Sequence, residues 1–145
     1  MTDLSTTVMR RINAPAERVF NAWLDPKMLA RFMCPAPGVT VPRAETEARV
    51  GGRFDIVMHL NDKDIPHWGT YSEISPHEKL VFTWESPFSV EGSTVTLTFA
   101  QTGDATDVTL VHVKFPSEES RENHTTGWTR ILEVLDAVTA TETAA

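Results

Sequence analysis

The chain has 145 residues, of which 41% are hydrophobic and 23% charged, as in an ordinary globular domain. Its net charge of -7 argues against a nucleic-acid partner and against adsorption to anionic membranes, because both require a basic surface. No apolar run approaches the roughly 20 residues that span a bilayer, and residues 1–5 lack the pattern of a secretion signal. We therefore expect one cytoplasmic domain, residues 1–145, with no membrane span.

The first quarter of the sequence predicts one strand and two short helices. Residues 4–12 alternate imperfectly and contain β-branched side chains, which favours a strand. Asn13-Ala14-Pro15 is typical of a helix start. Asp25-Pro26 ends that helix and caps a second one, which Pro35 prevents from continuing.

Most of the sequence between Val39 and Phe115 predicts strands separated by turns. Residues 53–60 and 94–99 alternate between apolar and polar side chains, as half-buried strands do. The strand that begins near Val39 has a proline near its start, which favours an edge position. Short turns between consecutive strands predict antiparallel pairing.

The last predicted element is one long helix, Ser117 to Thr141. Its apolar residues fall on one helical face: Trp128, Ile131, Leu132, Leu135 and Val138. The element order predicts an α+β fold, in which a curved antiparallel sheet of about seven strands surrounds the C-terminal helix and two short helices follow the first strand. We see no second domain.

The dimensions of these elements predict a hollow. A helix is only about 10 Å wide, whereas seven strands at roughly 4.8 Å each form a sheet about 34 Å across. One helix cannot cover such a face, so the sheet must curl around it. We expect space for an apolar small molecule between the helix and the sheet.

Several short stretches, in this order, resemble the helix-grip superfamily of START-like (SRPBCC) proteins. Within it, the chain is similar to the family named for activators of the heat-shock-protein-90 ATPase. The matching stretches span most of the chain: Ile12-Asn13-Ala14-Pro15, Val19-Phe20, Ala22-Trp23, Asp25-Pro26, Gly51-Gly52-Arg53-Phe54, Gly69-Thr70-Tyr71, Ile74, Glu78 to Trp84, Thr109-Leu110 with His112, and Gly127-Trp128 with Leu132 and Leu135.

The resemblance implies the helix-grip fold and a central cavity. Members of the superfamily include lipid carriers, hormone receptors, polyketide cyclases and stress proteins, which all use that cavity. They share no catalytic motif, so the resemblance assigns no catalytic residue to this chain. Co-chaperones that stimulate the chaperone ATPase also use a separate N-terminal domain, for which this chain has no room.

Large apolar side chains facing the hollow are the candidate ligand-binding residues. Taken singly, each ring is better explained as core, but as a set they can stack on a planar ligand. Tyr71 and His112 are the candidates for polar contacts, and His112 can equally be a hydrogen-bonded core histidine whose strand face the pattern leaves open. The full set of candidates is Phe32, Phe54, Met58, Tyr71, Phe82, Trp84, His112, Trp128 and Leu132.

Other chemistry has little support in the sequence. The five histidines have no spacing typical of a zinc site, so we expect no metal, and no motif requires a cofactor. Cys34 is the only cysteine and is interpreted as a structural thiol. No nucleophile elbow or phosphate-binding loop is present, and catalytic residues stay unknown.

The sequence thus predicts a protein that binds a hydrophobic ligand such as a lipid, a polyketide or an aromatic metabolite. Two alternatives stay open: a cyclase- or hydrolase-like enzyme using the same cavity, and a co-regulator of a chaperone ATPase acting through protein contacts. A binding protein is favoured over an enzyme. A homodimer and a chaperone partner are compatible with the pattern, but nothing in it requires either.

Overall fold

A computed structural model describes residues 4–87 and 89–143 of the chain. Within these residues, strands and helices follow one another in the predicted order, and the predicted α+β fold is confirmed. The helices are α1 (Ala16–Ala22), α2 (Pro26–Phe32) and α3 (Glu118–Thr143). The strands are β1 (Ser5–Ile12), β2 (Thr40–Thr46), β3 (Arg53–Leu60), β4 (Lys63–Ser75), β5 (Lys79–Thr83), β6 (Thr94–Thr102) and β7 (Ala105–Val113).

The seven strands of the described ranges form one antiparallel sheet in the order β1-β7-β6-β5-β4-β3-β2. Strands β2 to β7 form a meander, and β1 pairs with β7, so β1 and β2 occupy the two edges. The edge position of β2 agrees with the proline in its sequence: its pairing with β3 shifts register between Thr40 and Arg43, around Pro42.

Strand β4 contains a bulge, which bends it, and a glycine at which neighbouring strands approach closely. The pairing of β4 with β5 shifts register between Tyr71 and Glu73, and a bulge of this kind bends a strand. Two residues earlier, Gly69 pairs with Phe54 of β3. A Cβ atom on Gly69 would collide with the Thr83 carbonyl oxygen and with the Phe54 ring, so only glycine fits between them.

Helix α3 lies across the concave side of the sheet and closes it. Ser117 caps the helix, since its Oγ accepts a hydrogen bond from the Ser120 backbone N–H over 3.1 Å. Asp136 of α3 accepts two hydrogen bonds from the Arg10 guanidinium of β1, at 3.0 and 3.2 Å. Helix α2 packs on β2 and on α3. The three helices therefore cover the sheet together, from one edge strand to the other.

The hydrophobic core lies between the sheet and the helices. In β6, Val95, Leu97 and Phe99 face inward while the threonines between them face outward, as the alternation predicted. On α3, the predicted face is buried at Trp128 and Leu132. Of the helices in the described part of the chain, none has both the length and the apolar character required to cross a membrane.

Candidate functional site

Trp84 occupies the centre of the space between the sheet and α3. It follows β5 directly, and its backbone N–H donates to the Ser93 carbonyl over 2.9 Å. The centroid of its ring system lies 4.9 Å from that of Trp128 on α3 and 4.9 Å from that of His67 on β4. Because the indole reaches from one layer to the other, it separates a small interior void from a larger cleft.

The interior void is nearly filled. Its volume is about 10 Å³, close to the smallest space that holds one water molecule. The sequence predicted the hollow here because the prediction compared only α3 with the width of the sheet. Helices α1 and α2 and their flanking residues supply additional large side chains that occupy the centre. The lining residues are Trp23, Leu29, Met33, Phe54, Ile56, Tyr71, Phe82 and Trp84.

The cleft is larger than the interior void, with apolar walls and a volume of about 170 Å³. It opens between α3 and the strands β3 and β4, next to the connection that follows α2. A Cβ atom on Gly127 of α3 would come within 3.1 Å of Pro35 Cβ, so the missing side chain lets this connection approach the helix. The lining residues are Pro35, Met58, His67, Trp84, Asn123, His124, Gly127, Trp128 and Ile131.

His112 points into the interior, where both of its ring nitrogens are hydrogen-bonded. It is buried with Val108 and Leu110 on the same face of β7, which answers the question that the sequence pattern left open. Trp128 Nε1 donates a hydrogen bond to Nδ1 of His112 over 3.0 Å. On the other side of the ring, Nε2 lies 2.7 Å from Ser93 Oγ.

These two bonds fix the protonation state of His112. An indole N–H can only donate, so Nδ1 must carry the lone pair and a neutral ring must carry its proton on Nε2. That proton is donated to Ser93 Oγ, which is the reverse of the arrangement in which a histidine accepts a proton from a serine nucleophile. Burial, and then the nearby His124, lower the pKa of His112 to about 3. His112 is therefore a neutral structural histidine.

Two further histidines lie on the cleft wall. The pKa of His67 is lowered to about 4, chiefly by burial, and its Nδ1 is buried with no hydrogen-bond partner among the described residues. His124 donates a hydrogen bond from Nδ1 to the Ser120 carbonyl over 2.8 Å. In a neutral His124 ring, Nε2 then carries the lone pair. The cleft thus combines apolar walls with imidazole groups.

Two of the residues that line the interior void carry a polar group. Trp23 Nε1 is buried with no hydrogen-bond partner in the described ranges, and an unpaired buried donor costs about 1–3 kcal/mol. Tyr71 lines the same void, and burial raises the pKa of its phenol well above the usual value. The Tyr71 ring lies 5.6 Å from Phe54 and 6.3 Å from Phe82.

The structure distributes the candidate residues among three places. Phe54, Tyr71 and Phe82 line the void, and Met58 and Trp128 line the cleft, while Trp84 borders both. Three other candidates are buried in the core, where they support the site: Phe32, whose ring lies 5.0 Å from that of Trp23, His112 and Leu132.

The sequence reasoning missed His67 and His124, although both leave a signal. His67 precedes Gly69 and Tyr71 at a spacing of two, and both of these face inward. His124 precedes Trp128 by four residues on α3 and therefore lies on the same helical face. The other residues missed on the cleft wall are Pro35, Asn123, Gly127 and Ile131.

The structure gives little basis for metal or thiol chemistry at the described residues. No three histidine, cysteine, aspartate or glutamate side chains within 4–87 and 89–143 are grouped so that they could hold a metal ion. Burial raises the pKa of the Cys34 thiol and outweighs the charge of Arg130, which acts in the opposite direction. A thiol with a raised pKa is a poor nucleophile at neutral pH.

Comparison with known proteins gives a family and a set of similar folds. Residues 13–140 match the model of the family described as Activator of Hsp90 ATPase homolog 1-like protein. No curated protein matches the chain. A crystal structure of a Chromobacterium violaceum protein is 28% identical, with a TM-score of 0.83, and the alignment covers 93% of this chain and 96% of that one.

Two more solved structures share the fold at lower identity. The AHSA1-like protein from Aeromonas hydrophila is 22% identical, with a TM-score of 0.84 and coverage of 98% of this chain and 96% of that chain. CalU16 from Micromonospora echinospora is 23% identical, with a TM-score of 0.72 and coverage of 98% and 80%. The predicted START-like fold is confirmed, and the chain belongs to the Activator of Hsp90 ATPase homolog 1-like protein family.

Proposed function

We propose that this protein binds an apolar small molecule in the cleft between α3 and the strands β3 and β4. The observation that carries the proposal is the cleft of about 170 Å³, whose walls include Met58, Trp84 and Trp128. For comparison, an apolar cavity of about 150 Å³ binds benzene. The cleft therefore suits an aromatic ring or a short apolar group of a lipid, a polyketide or another hydrophobic metabolite.

The binding energy available from such a group is moderate. Burying roughly 150 Å² of apolar surface would contribute about 4 kcal/mol before the costs of ordering the ligand. Met58 is unbranched and adapts its shape to a ligand, and the two indoles offer flat or edge contacts. A larger ligand would gain additional contacts if Trp84 turned and joined the interior void to the cleft.

The enzymatic alternative has less support. A cyclase- or hydrolase-like reaction requires polar groups that converge on one reacting atom. His112 uses both ring nitrogens within the core, and Tyr71 faces the void, with Phe54 and Trp84 also on its wall. Three other expectations from the sequence stay predictions: a role as co-regulator of a chaperone ATPase, a homodimer and a cytoplasmic location.

A variant that covers the cleft tests the proposal. Asn123 is an exposed residue of α3 on the cleft wall, and Glu122 is an exposed neighbour that does not line the cleft. We expect Asn123→Phe to abolish the thermal shift that a library of lipids and aromatic compounds produces, and Glu122→Phe to leave it unchanged. No response from the unaltered protein, or an equal response from both variants, would contradict the proposal.

A further inference from the structure

We propose that the cleft selects an uncharged aromatic ring carrying one un-ionised hydroxyl group, that is, a phenol-like ligand. This inference rests on the proposed function and specifies the chemistry of the ligand. Three features of the cleft support it: the size of the cleft, the absence of carboxylate, lysine and arginine side chains from its lining among the described residues, and the hydrogen-bonding groups of the two imidazoles on its wall.

The size and shape of the cleft favour a ring. Its volume of about 170 Å³ is close to the space that a single aromatic ring occupies. Trp84 and Trp128 meet at an interplanar angle of 60° with their centroids 4.9 Å apart, so they form an angled aromatic wall. A ring placed against this wall makes a stacked contact with one indole and an edge contact with the other.

The lining disfavours an ionised ligand. Within the described part of the chain, nine residues line the cleft, and none of them is an aspartate, a glutamate, a lysine or an arginine. A carboxylate or an ammonium group placed among these side chains would lose its hydration without gaining a counter-ion. The desolvation of one ion costs several kcal/mol. A neutral ligand avoids this cost.

The polar groups on the wall suit a hydroxyl. The Ser120 carbonyl holds Nδ1–H of His124, so a neutral ring offers a lone pair on Nε2. A phenol can donate its hydroxyl proton to that lone pair. Burial keeps His67 neutral at pH 7, because the pKa of its ring is lowered to about 4. A hydroxyl is also both donor and acceptor, so it pairs with either tautomer of His67.

Three para-substituted probes separate these features: p-cresol, p-xylene and 4-methylbenzoate. The first two have nearly the same shape and differ in a hydroxyl, whereas the third carries a charge. We expect calorimetric titration at pH 7.5 to show p-cresol binding about 3- to 10-fold tighter than p-xylene, as one net hydrogen bond provides. We expect 4-methylbenzoate to bind more weakly than either.

Two phenylalanine substitutions identify the acceptor. His124→Phe keeps a flat ring but removes the lone pair, so p-cresol should lose its advantage while p-xylene binds as before. His59→Phe is the control, since His59 pairs with Asp64 on the surface at 2.6 Å and does not line the cleft. It should preserve the ratio of the two affinities.

The outcomes distinguish this inference from the function on which it rests. Equal affinities for p-cresol and p-xylene would overturn the hydroxyl selectivity, and an unchanged ratio of the two affinities in His124→Phe would overturn the assignment of His124 as the acceptor. Either result would leave the binding function intact. Tighter binding of 4-methylbenzoate than of p-cresol would overturn the selection of uncharged rings. Absence of binding by all three probes, together with no response to the wider library, would refute both.

Discussion

Trp128 of α3 donates a hydrogen bond from its indole Nε1 to Nδ1 of His112 on β7, over 3.0 Å and out of contact with solvent. The bond joins the long helix to the sheet at the point where the cleft begins. One side of the same indole faces the cleft, so this bond also positions a wall of the proposed binding site.

Loss of this bond should destabilise the fold. We expect Trp128→Phe to remove the donor, leave Nδ1 of His112 buried and unpaired, and lower the free energy of unfolding by about 1–3 kcal/mol beyond the loss of volume. Trp23→Phe is the matched control, because Trp23 is equally buried at 2% exposure but its Nε1 has no hydrogen-bond partner within the described part of the chain. Urea denaturation measures the free energy of unfolding of both variants. Equal losses in the two variants would contradict a stabilising role for the bond.

The two buried histidines should make stability depend on pH. In the folded state the pKa of His112 is about 3 and that of His67 about 4, whereas an unfolded histidine has a pKa near 6.5. As the pH falls below 6.5, the unfolded chain takes up protons that the folded chain does not. The free energy of unfolding should therefore decrease by up to about 1.4 kcal/mol per pH unit for each histidine.

The window between pH 6.5 and 5 isolates this effect, because most carboxylates titrate lower. We expect urea denaturation to show that, across this window, the free energy of unfolding of the unaltered protein changes with pH as the uptake of about two protons on unfolding requires. In His67→Phe the dependence on pH should correspond to about one proton fewer. A stability that is constant over the window would show that these rings are not held neutral by the fold.

Gly69 should tolerate no side chain. In Gly69→Ala, the new methyl group would meet the Thr83 carbonyl and the Phe54 ring, so β3, β4 or β5 would have to move. We expect a loss of at least 2 kcal/mol, within the range for overpacking of a core. Thr70→Ala, at the exposed neighbouring position, should change stability by less than about 0.5 kcal/mol. A small effect of Gly69→Ala on the denaturation midpoint would contradict the close approach.

Asp136 should contribute more than an ordinary surface acid. It accepts two hydrogen bonds from Arg10 and one, at 3.2 Å, from the Asn13 backbone N–H, and its side chain is only 17% exposed. We expect Asp136→Asn to cost about 1 kcal/mol. Asp107→Asn, which affects the exposed pair with Arg11, should have a much smaller effect on stability, because solvent screens that pair. Thermal unfolding measures the loss of stability in each variant, and equal losses would refute the larger contribution of Asp136.

The sequence predicted the fold well because the spacing of apolar residues and the short connections between strands largely determine it. The alternation around Leu97 predicts one buried face of a strand, and the spacing of Trp128, Leu132 and Leu135 predicts one buried face of a helix. The strand order follows from short connections between antiparallel neighbours, with β1 returning to β7. The predicted helix, Ser117 to Thr141, differs from α3 by one or two residues at each end.

The site was harder to predict because it depends on how side chains fill a volume. Trp23 and Met33 are distant in sequence from Phe82, and only the packed structure shows that together they nearly fill the centre. Both alternating sets of residues around His112 are apolar, so the pattern could not tell which face of β7 is buried. The sequence predicted Trp84 as one wall of a single hollow, whereas in the structure it divides two spaces.

The indole N–H signals of an amide-nitrogen correlation spectrum, recorded during a titration with p-cresol, test the binding claim most directly. Four tryptophans give four reporters in different environments. Trp84 and Trp128 line the cleft, whereas Trp68 lies under the Arg53 side chain and is not among the cleft residues. We predict saturable shifts of the Trp84 and Trp128 signals with Trp68 unchanged. Unmoved Trp84 and Trp128 signals at saturating p-cresol would contradict binding in the cleft.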